Sequence, residues 1–139
     1  MIVLDTNVIS ELMRPKPFPQ VAAWVAKHAA TELATTSITE AEILYGIEIL
    51  KKSKRRDSLR AAAEAMFAED LGGRIFAFDS DAAQAFSRIA ARRRALGKPI
   101  SQPDAQIAAI VKARGAKLAT RNVADFAECG LDVIDPWNV

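Results

Sequence analysis

The segment IVLDTNVISEL, residues 2–12, indicates the fold class, because a short apolar strand runs directly into a carboxylate and then into a helix. Ile2–Leu4 carries no polar interruption, as expected of a strand buried on both faces of a parallel sheet. Asp5 ends this strand, and the apolar residues of segment 8–12 recur at helical spacing. A strand that leads straight into a helix predicts an α/β protein.

The rest of the chain continues this alternation of short β-forming runs and longer segments of helical period. Further strands are predicted at Leu33–Ser37, Ile75–Phe78, Leu118–Thr120 and Leu131–Ile134. Further helices are predicted to begin near Thr39, Asp57, Ser80 and Ser101. No linker or repeat divides the sequence, so we predict one α/β domain over residues 1–139 with a mostly parallel sheet.

The composition excludes several classes of protein. The chain has 139 residues, 50% hydrophobic and 26% charged, which is enough to bury a core without a disulfide or a structural metal. Its one cysteine, Cys129, excludes an internal disulfide and fits a reducing compartment. No apolar stretch is long enough to span a membrane and no secretory signal opens the chain, so we expect a cytoplasmic protein without a membrane partner.

Four acidic residues occupy positions that the predicted fold makes unusual. Asp5 ends a buried strand, where an unpartnered carboxylate carries a desolvation cost. Glu42 and Asp104 lie in the first turns of two predicted helices, and Asp125 follows the fourth strand. Because parallel strands end at one edge of the sheet, where α/β proteins bind ligands, we expect these side chains to converge.

Converging carboxylates repel each other, so either their pKa values rise or a cation neutralises them. Oxygen-only ligands favour Mg²⁺ or Mn²⁺ and leave coordination positions for phosphate oxygens, which suits hydrolysis of a phosphodiester bond. Simpler interpretations stay open at this point. Thr39 and Glu42 match a capping box, and Asp104 is favourable beside a helix N-terminus without any other role.

Five segments, spread over essentially the whole chain, carry a family resemblance. They are VLDTNVISE at 3–11, SITEAEILYG at 37–46, PDAQIAA at 103–109, ATRNVADF at 119–126 and DPW at 135–137. In this order and spacing they resemble the PIN-domain ribonucleases, specifically the VapC/FitB-like toxins of bacterial type II toxin–antitoxin pairs. The resemblance implies a PIN-like fold, in which a parallel sheet is sandwiched by α-helices.

The resemblance also implies a Mg²⁺-dependent endoribonuclease, with Mn²⁺ as a substitute ion. Asp5 and Asp104 would be the principal metal ligands, and Glu42 would complete the acidic site directly or through water. Thr6 would orient Asp5, and Thr120 the edge of the fourth strand, through their hydroxyls. The supporting positions are Thr6, Asn7, Thr120, Arg121 and Asn122.

One departure from the family pattern concerns the fourth acidic position. Some relatives carry an aspartate where this chain has Asn122, which adds no charge, whereas Asp125 lies nearby in the same segment. Either residue is a candidate for the fourth position, and the choice between one and two metal ions stays open.

Partners follow from the same resemblance. The family is usually dimeric, with the acidic sites along a shared groove, and its antitoxin is a small DNA-binding protein whose C-terminal segment obstructs the active site. We therefore expect an RNA substrate, a homodimer, a cognate antitoxin and a higher assembly with it.

Basic residues are candidates for contact with RNA. Arg92, Arg93 and Arg94 crowd the helix that leads to Asp104 and could contact RNA or the antitoxin, although a solvated helix face carries the same charges. Arg121, beside the expected site, is the better single candidate for a phosphate. The net charge of +2 is too small to indicate nucleic-acid binding by itself.

Two other functions stay open. A catalytically degenerate PIN module would bind RNA or a partner without cleaving, and Asn122 mildly favours it. An aspartyl phosphatase would use Asp5 as a nucleophile, but it needs a second aspartate where this chain has Asn7. His28, the only histidine, lies near no motif, which disfavours a histidine-paired ribonuclease mechanism.

Overall fold

A computed structural model describes residues 1–139 and contains one five-stranded sheet, in which every pair of neighbouring strands is parallel. The strands are β1 (Ile2–Leu4), β2 (Leu33–Thr36), β3 (Ile75–Phe76), β4 (Lys117–Ala119) and β5 (Val133–Ile134), in the spatial order β3-β2-β1-β4-β5. All five predicted strands are present, and three of them are shorter than predicted. The predicted α/β fold with a parallel sheet is confirmed.

Six α-helices connect the strands. They are α1 (Thr6–Leu12), α2 (Pro19–Ala26), α3 (Ser37–Glu48), α4 (Lys54–Ala65), α5 (Ser80–Ala95) and α6 (Gln102–Ala113). A π-helical turn at Met66–Asp70 extends α4, and short 3-10 helices occur at Ala30–Glu32 and Val123–Phe126. No helix combines the length and the apolar character needed to cross a membrane.

The core has two layers, one on each face of the sheet. Val3 packs with α5 and α6 in one layer, whereas its neighbours Ile2 and Leu4 pack with α1, α2, α3 and α4 in the other. This division follows from the period-two alternation of side chains along a strand. Helices therefore cover both faces, as the family resemblance implies.

Three helix starts differ from the predictions. Helix α4 begins at Lys54 rather than near Asp57, because the hydroxyl of Ser53 accepts a hydrogen bond from the amide of Arg56 and caps the helix there. Helix α3 begins at Ser37, because the hydroxyl of Thr36 accepts a hydrogen bond from the amide of Thr39 and caps the helix there. Thr39 is thus inside the helix, and the capping-box interpretation of Glu42 is wrong. Helix α5 is capped by the carboxylate of Asp79 rather than by Ser80.

Strand β1 lies at the centre of the sheet, with β2 on one side and β4 on the other. The chain order reverses at this strand, and such a switch point opens a crevice outside the carboxyl ends of the strands. Asp5 is the first residue after β1, so it lies at the mouth of this crevice.

Candidate active site

Asp5 caps helix α1 and is held by several hydrogen bonds at once. Its Oδ1 accepts from the amide of Thr6 at 2.8 Å, and its Oδ2 accepts from the hydroxyl of Thr120 at 2.7 Å. The side-chain amide of Asn7 approaches the same Oδ2 at 3.4 Å. Asp5 is only 5% exposed, so these bonds fix the direction in which its carboxylate faces the crevice.

Thr120, at the carboxyl end of β4, connects the two central strands. Besides donating to Asp5, its hydroxyl oxygen accepts from Asn7 Nδ2 and from the amide of Asn122, each at 3.1 Å. These three bonds use the whole hydrogen-bonding capacity of a hydroxyl group. The side-chain oxygen of Asn7 accepts in turn from the amide of Arg121 at 3.1 Å. All five predicted supporting residues, including Thr6 through its backbone amide, therefore belong to one network around Asp5.

Glu42 reaches the site from α3 through a second hydroxyl. Thr6 Oγ1 donates to Glu42 Oε1 at 2.8 Å, and the Oγ1 atoms of Thr6 and Thr39 lie 3.1 Å apart. Since the single hydroxyl proton of Thr6 goes to Glu42, Thr39 is the donor to Thr6. The hydroxyl of Thr6 thus orients Glu42, and only its backbone amide holds Asp5, which corrects the predicted role of the side chain. Sequence reasoning missed Thr39.

Glu42 and Asp104 both act on Asp5. Asp104 lies in the first turn of α6 as predicted, whereas Glu42 lies in the second turn of α3, because that helix begins at Ser37. Burial is the main cause that raises the pKa of Asp5, and the nearby charges of Asp104 and Glu42 raise it further. The hydrogen bonds from Thr120 and from the Thr6 amide oppose this shift. Asp5 therefore feels the charges of both Glu42 and Asp104, although Asp104 lies 99 positions away in the sequence.

Asp104 has an environment of its own at the start of α6. Ser101 caps the helix by accepting the amide of Asp104 at 3.3 Å, as predicted, and the Asp104 side chain is half-buried. Burial raises the pKa of Asp104, and the carboxylate of Asp125 adds to the increase. Ser101 and the guanidinium of Arg93 lower it.

Asp125 and Asn122 lie in the segment that follows β4. The side chain of Asp125 is exposed on the short helix Val123–Phe126, and its charge is felt by Asp104. Asn122 uses its backbone amide on Thr120. Of these two candidates for the fourth position, Asp125 is the one whose charge acts on another acidic residue.

The acidic side chains of the site could bind a hard cation through one or two carboxylates and several waters, but not within a cage made of protein ligands alone. No group of three His, Cys, Asp or Glu side chains lies closely enough together to enclose a metal ion. Mg²⁺ needs no such cage, because it usually binds through one or two carboxylates and keeps several waters. Two carboxylates with raised pKa values, acted on by further like charges, fit this water-rich mode.

The predicted RNA-binding arginines have different surroundings. Arg93 is only 7% exposed and donates to backbone carbonyls inside the protein, so its predicted contact with RNA is wrong. Arg92 is exposed and pairs with Glu128 at 2.9 Å, and Arg94 is exposed. Arg121 is exposed beside the site, with its guanidinium 5.1 Å from the centre of the Trp137 ring.

A cavity of about 630 Å³ extends from Thr6 and Glu42 between α1, α3 and α4. Its walls are largely apolar, and two arginines, Arg14 and Arg55, also line it. The acidic edge of the sheet therefore continues into this groove.

Comparisons with known proteins give one consistent result. The family model of the PIN domain matches residues 2–129. The VapC ribonuclease Y4jK of Sinorhizobium fredii is 39% identical over 99% of this chain and 98% of its own length. The toxin FitB of Neisseria gonorrhoeae is 34% identical, over 99% of both chains.

Solved structures similar to this chain come from the same family as the relatives found by sequence. FitAcB from Neisseria gonorrhoeae superposes with a TM-score of 0.93 at 34% identity, over 100% of both chains. FitAB bound to an IR36 DNA fragment gives the same TM-score, over 100% of this chain and 97% of the other.

Proposed function

The chain belongs to the PIN-domain family, among the VapC/FitB-like toxins, and from this premise we propose that it is a Mg²⁺-dependent endoribonuclease, the toxin of a toxin–antitoxin pair. One observation carries the proposal. The buried carboxylate of Asp5 is acted on by Asp104 and Glu42 at the crevice of the sheet, in a chain similar to a named ribonuclease over nearly its full length.

In the proposed reaction Asp5 and Asp104 hold the ion, and the residues around them fix their directions. Thr120 and the amide of Thr6 keep both oxygens of Asp5 in place, so little reorganisation is needed when the substrate binds. When bound, Mg²⁺ would polarise a phosphoryl oxygen and offset the charge that develops during phosphodiester cleavage.

Glu42 is the proposed acceptor of the proton from the attacking water. Its Oε1 accepts the hydrogen bond of Thr6, which leaves Oε2 of this exposed side chain available to a water molecule. Asp125 would complete the acidic edge beside Asp104, and Arg121 would contact a phosphate of the RNA.

The proposed partners follow from those of the relatives. FitB is named a toxin, and FitAB has been solved on DNA, so we propose that this chain binds a small DNA-binding antitoxin and forms a homodimer within a larger assembly. The groove beside Glu42 lies where an inhibiting segment would obstruct access to the acidic site.

A second candidate is a PIN module that binds RNA without cleaving it. The lack of a close group of three metal-binding side chains favours this candidate. Metal-stimulated turnover separates the two functions, because a binding module retains RNA and releases it uncut.

The test is cleavage of total RNA by the purified protein with Mg²⁺ or with EDTA, compared with the Asp5→Asn variant. Asparagine keeps the helix cap at position 5, so the fold should survive while the charge is lost. Asp132→Asn, at an exposed carboxylate just before β5 and therefore at the opposite edge of the sheet, is the matched control. We expect Mg²⁺-dependent fragments from the wild type and the control only. Fragments from Asp5→Asn, or from the wild type in EDTA, would refute the metal site.

A further inference from the structure

Arg93 is a buried cation that the proposed chemistry does not use directly. It lies near the end of α5 and is 7% exposed. Its Nε donates to the carbonyl of Lys98 at 2.7 Å, and its Nη1 donates to the carbonyls of Asp125 and Ala127 at 2.8 and 3.0 Å. The same guanidinium lies 3.6 Å from the sulfur of Cys129.

No carboxylate forms an ion pair with Arg93, although the protein contains ion pairs elsewhere. A buried charge is costly unless hydrogen bonds and nearby opposite charge compensate it. Three backbone carbonyls and the acidic edge of the site supply this compensation. An apolar side chain would fill the same space without the cost, so the guanidinium must serve the segment that it binds.

That segment is residues 123–129, which carries Asp125. Arg93 holds the carbonyls of Asp125 and Ala127, and the residue after Ala127, Glu128, has a φ of +61°, a conformation that residues other than glycine rarely adopt. The carboxylate of Glu128 is tied to Arg92 at 2.9 Å. Two consecutive arginines of α5 thus fasten a segment whose own backbone is strained.

Arg93 also connects this segment to Asp104. Its bond to Lys98 holds the chain that leads from α5 to α6, where Asp104 lies in the first turn. One guanidinium therefore sets the spacing between the segment that carries Asp125 and the helix that carries Asp104.

We infer that Arg93 is a positioning residue, which holds Asp125 beside Asp104 through the backbone of residues 123–129. The inference rests on the proposed function, since it gives Asp125 a part in RNA cleavage. Arg93 itself touches neither RNA nor metal.

The test is a double-mutant cycle of Arg93→Lys and Asp125→Asn, read as kcat and KM for cleavage of one RNA with Mg²⁺ at a temperature where all variants are folded. Lysine keeps the charge but cannot donate to three carbonyls from a planar fork. We expect Arg93→Lys to lower kcat by about 10-fold, no more than Asp125→Asn does, with little change in KM. In the Asp125→Asn background the same substitution should have almost no further effect.

A second readout does not depend on cleavage. Hydrogen exchange should show faster exchange at the amides of residues 123–129 in Arg93→Lys, and unchanged exchange in Arg88→Lys, whose exposed side chain lies on the same helix. An equal loss of kcat in both backgrounds, a wild-type kcat in Asp125→Asn, or unchanged exchange in Arg93→Lys would overturn the inference. If the wild type cleaves no RNA, the proposed function fails, and hydrogen exchange still decides whether Arg93 anchors the segment.

Discussion

The Asp5 side of the site and segment 123–129 present carboxylates to one edge of the sheet by different means. Asp5 is buried, and side-chain and backbone donors bond its two oxygens directly. Asp125 is exposed, and its place is set by backbone carbonyls bonded to Arg93 in another helix. The carboxylate of Asp5 is therefore oriented by groups that bond it directly. The position of Asp125, in contrast, depends on Arg93, which contacts neither the substrate nor the metal in the proposed reaction.

The largest expected effect compares the two carboxylates. Asp5→Asn should lower the rate of RNA cleavage by about 10³-fold or more, because a bound cation supplies several kcal/mol of transition-state stabilisation. Asp125→Asn should lower it by only about 10-fold, as expected of a supporting group. Single-turnover rates on one RNA measure both. Equal losses of rate in Asp5→Asn and Asp125→Asn would contradict the proposed difference between the two carboxylates.

The second largest effect is expected at Glu42, whose carboxylate is oriented by the hydroxyl of Thr6. Glu42→Gln keeps the hydrogen bond from Thr6 but removes the proton acceptor, so the rate should fall by about 10²-fold. Glu40→Gln, on the same turn of α3, is the control and should retain the wild-type rate. A normal rate in Glu42→Gln would show that another group takes the proton.

A smaller effect concerns the hydroxyl that joins the central strands. Thr120→Val should lower the free energy of unfolding by about 1–3 kcal/mol, because it leaves buried partners of the hydroxyl without a bond. The exposed Thr31→Val should be close to neutral. Urea unfolding measures both variants, and a neutral Thr120→Val would mean that the network contributes little to holding Asp5.

The smallest expected effect is in the pH dependence of stability. The folded protein holds a proton on Asp5 more tightly than the unfolded chain does, because burial raises the pKa. Without metal, the wild type should therefore gain stability relative to Asp5→Asn as the pH falls from above the raised pKa to below the ordinary one. Unfolding in EDTA over a pH series tests the sign. The same pH dependence of stability in both proteins would contradict a raised pKa of Asp5.

The surroundings of Asp5 could be predicted from the sequence better than the role of Arg93 beside segment 123–129, for physical reasons. A carboxylate that ends an apolar strand stands out in the pattern, and Asp5 is buried as its position suggested. The function of Thr39 was hidden, because the start of α3 depends on which of two nearby threonines caps it. Arg93 was hidden as well, since three consecutive arginines are typical of a solvated helix face and only packing distinguishes the buried one.

The carboxylates of Asp5, directly after β1, and of Asp104, at the start of α6, are proposed to share one hard cation. Anomalous diffraction from crystals soaked in Mn²⁺ tests this proposal most directly. We expect a single strong peak within about 2.2 Å of carboxylate oxygens of both Asp5 and Asp104, and no such peak in Asp5→Asn crystals. A peak elsewhere, or none at this edge in a protein that still cleaves RNA with Mn²⁺, would contradict the account.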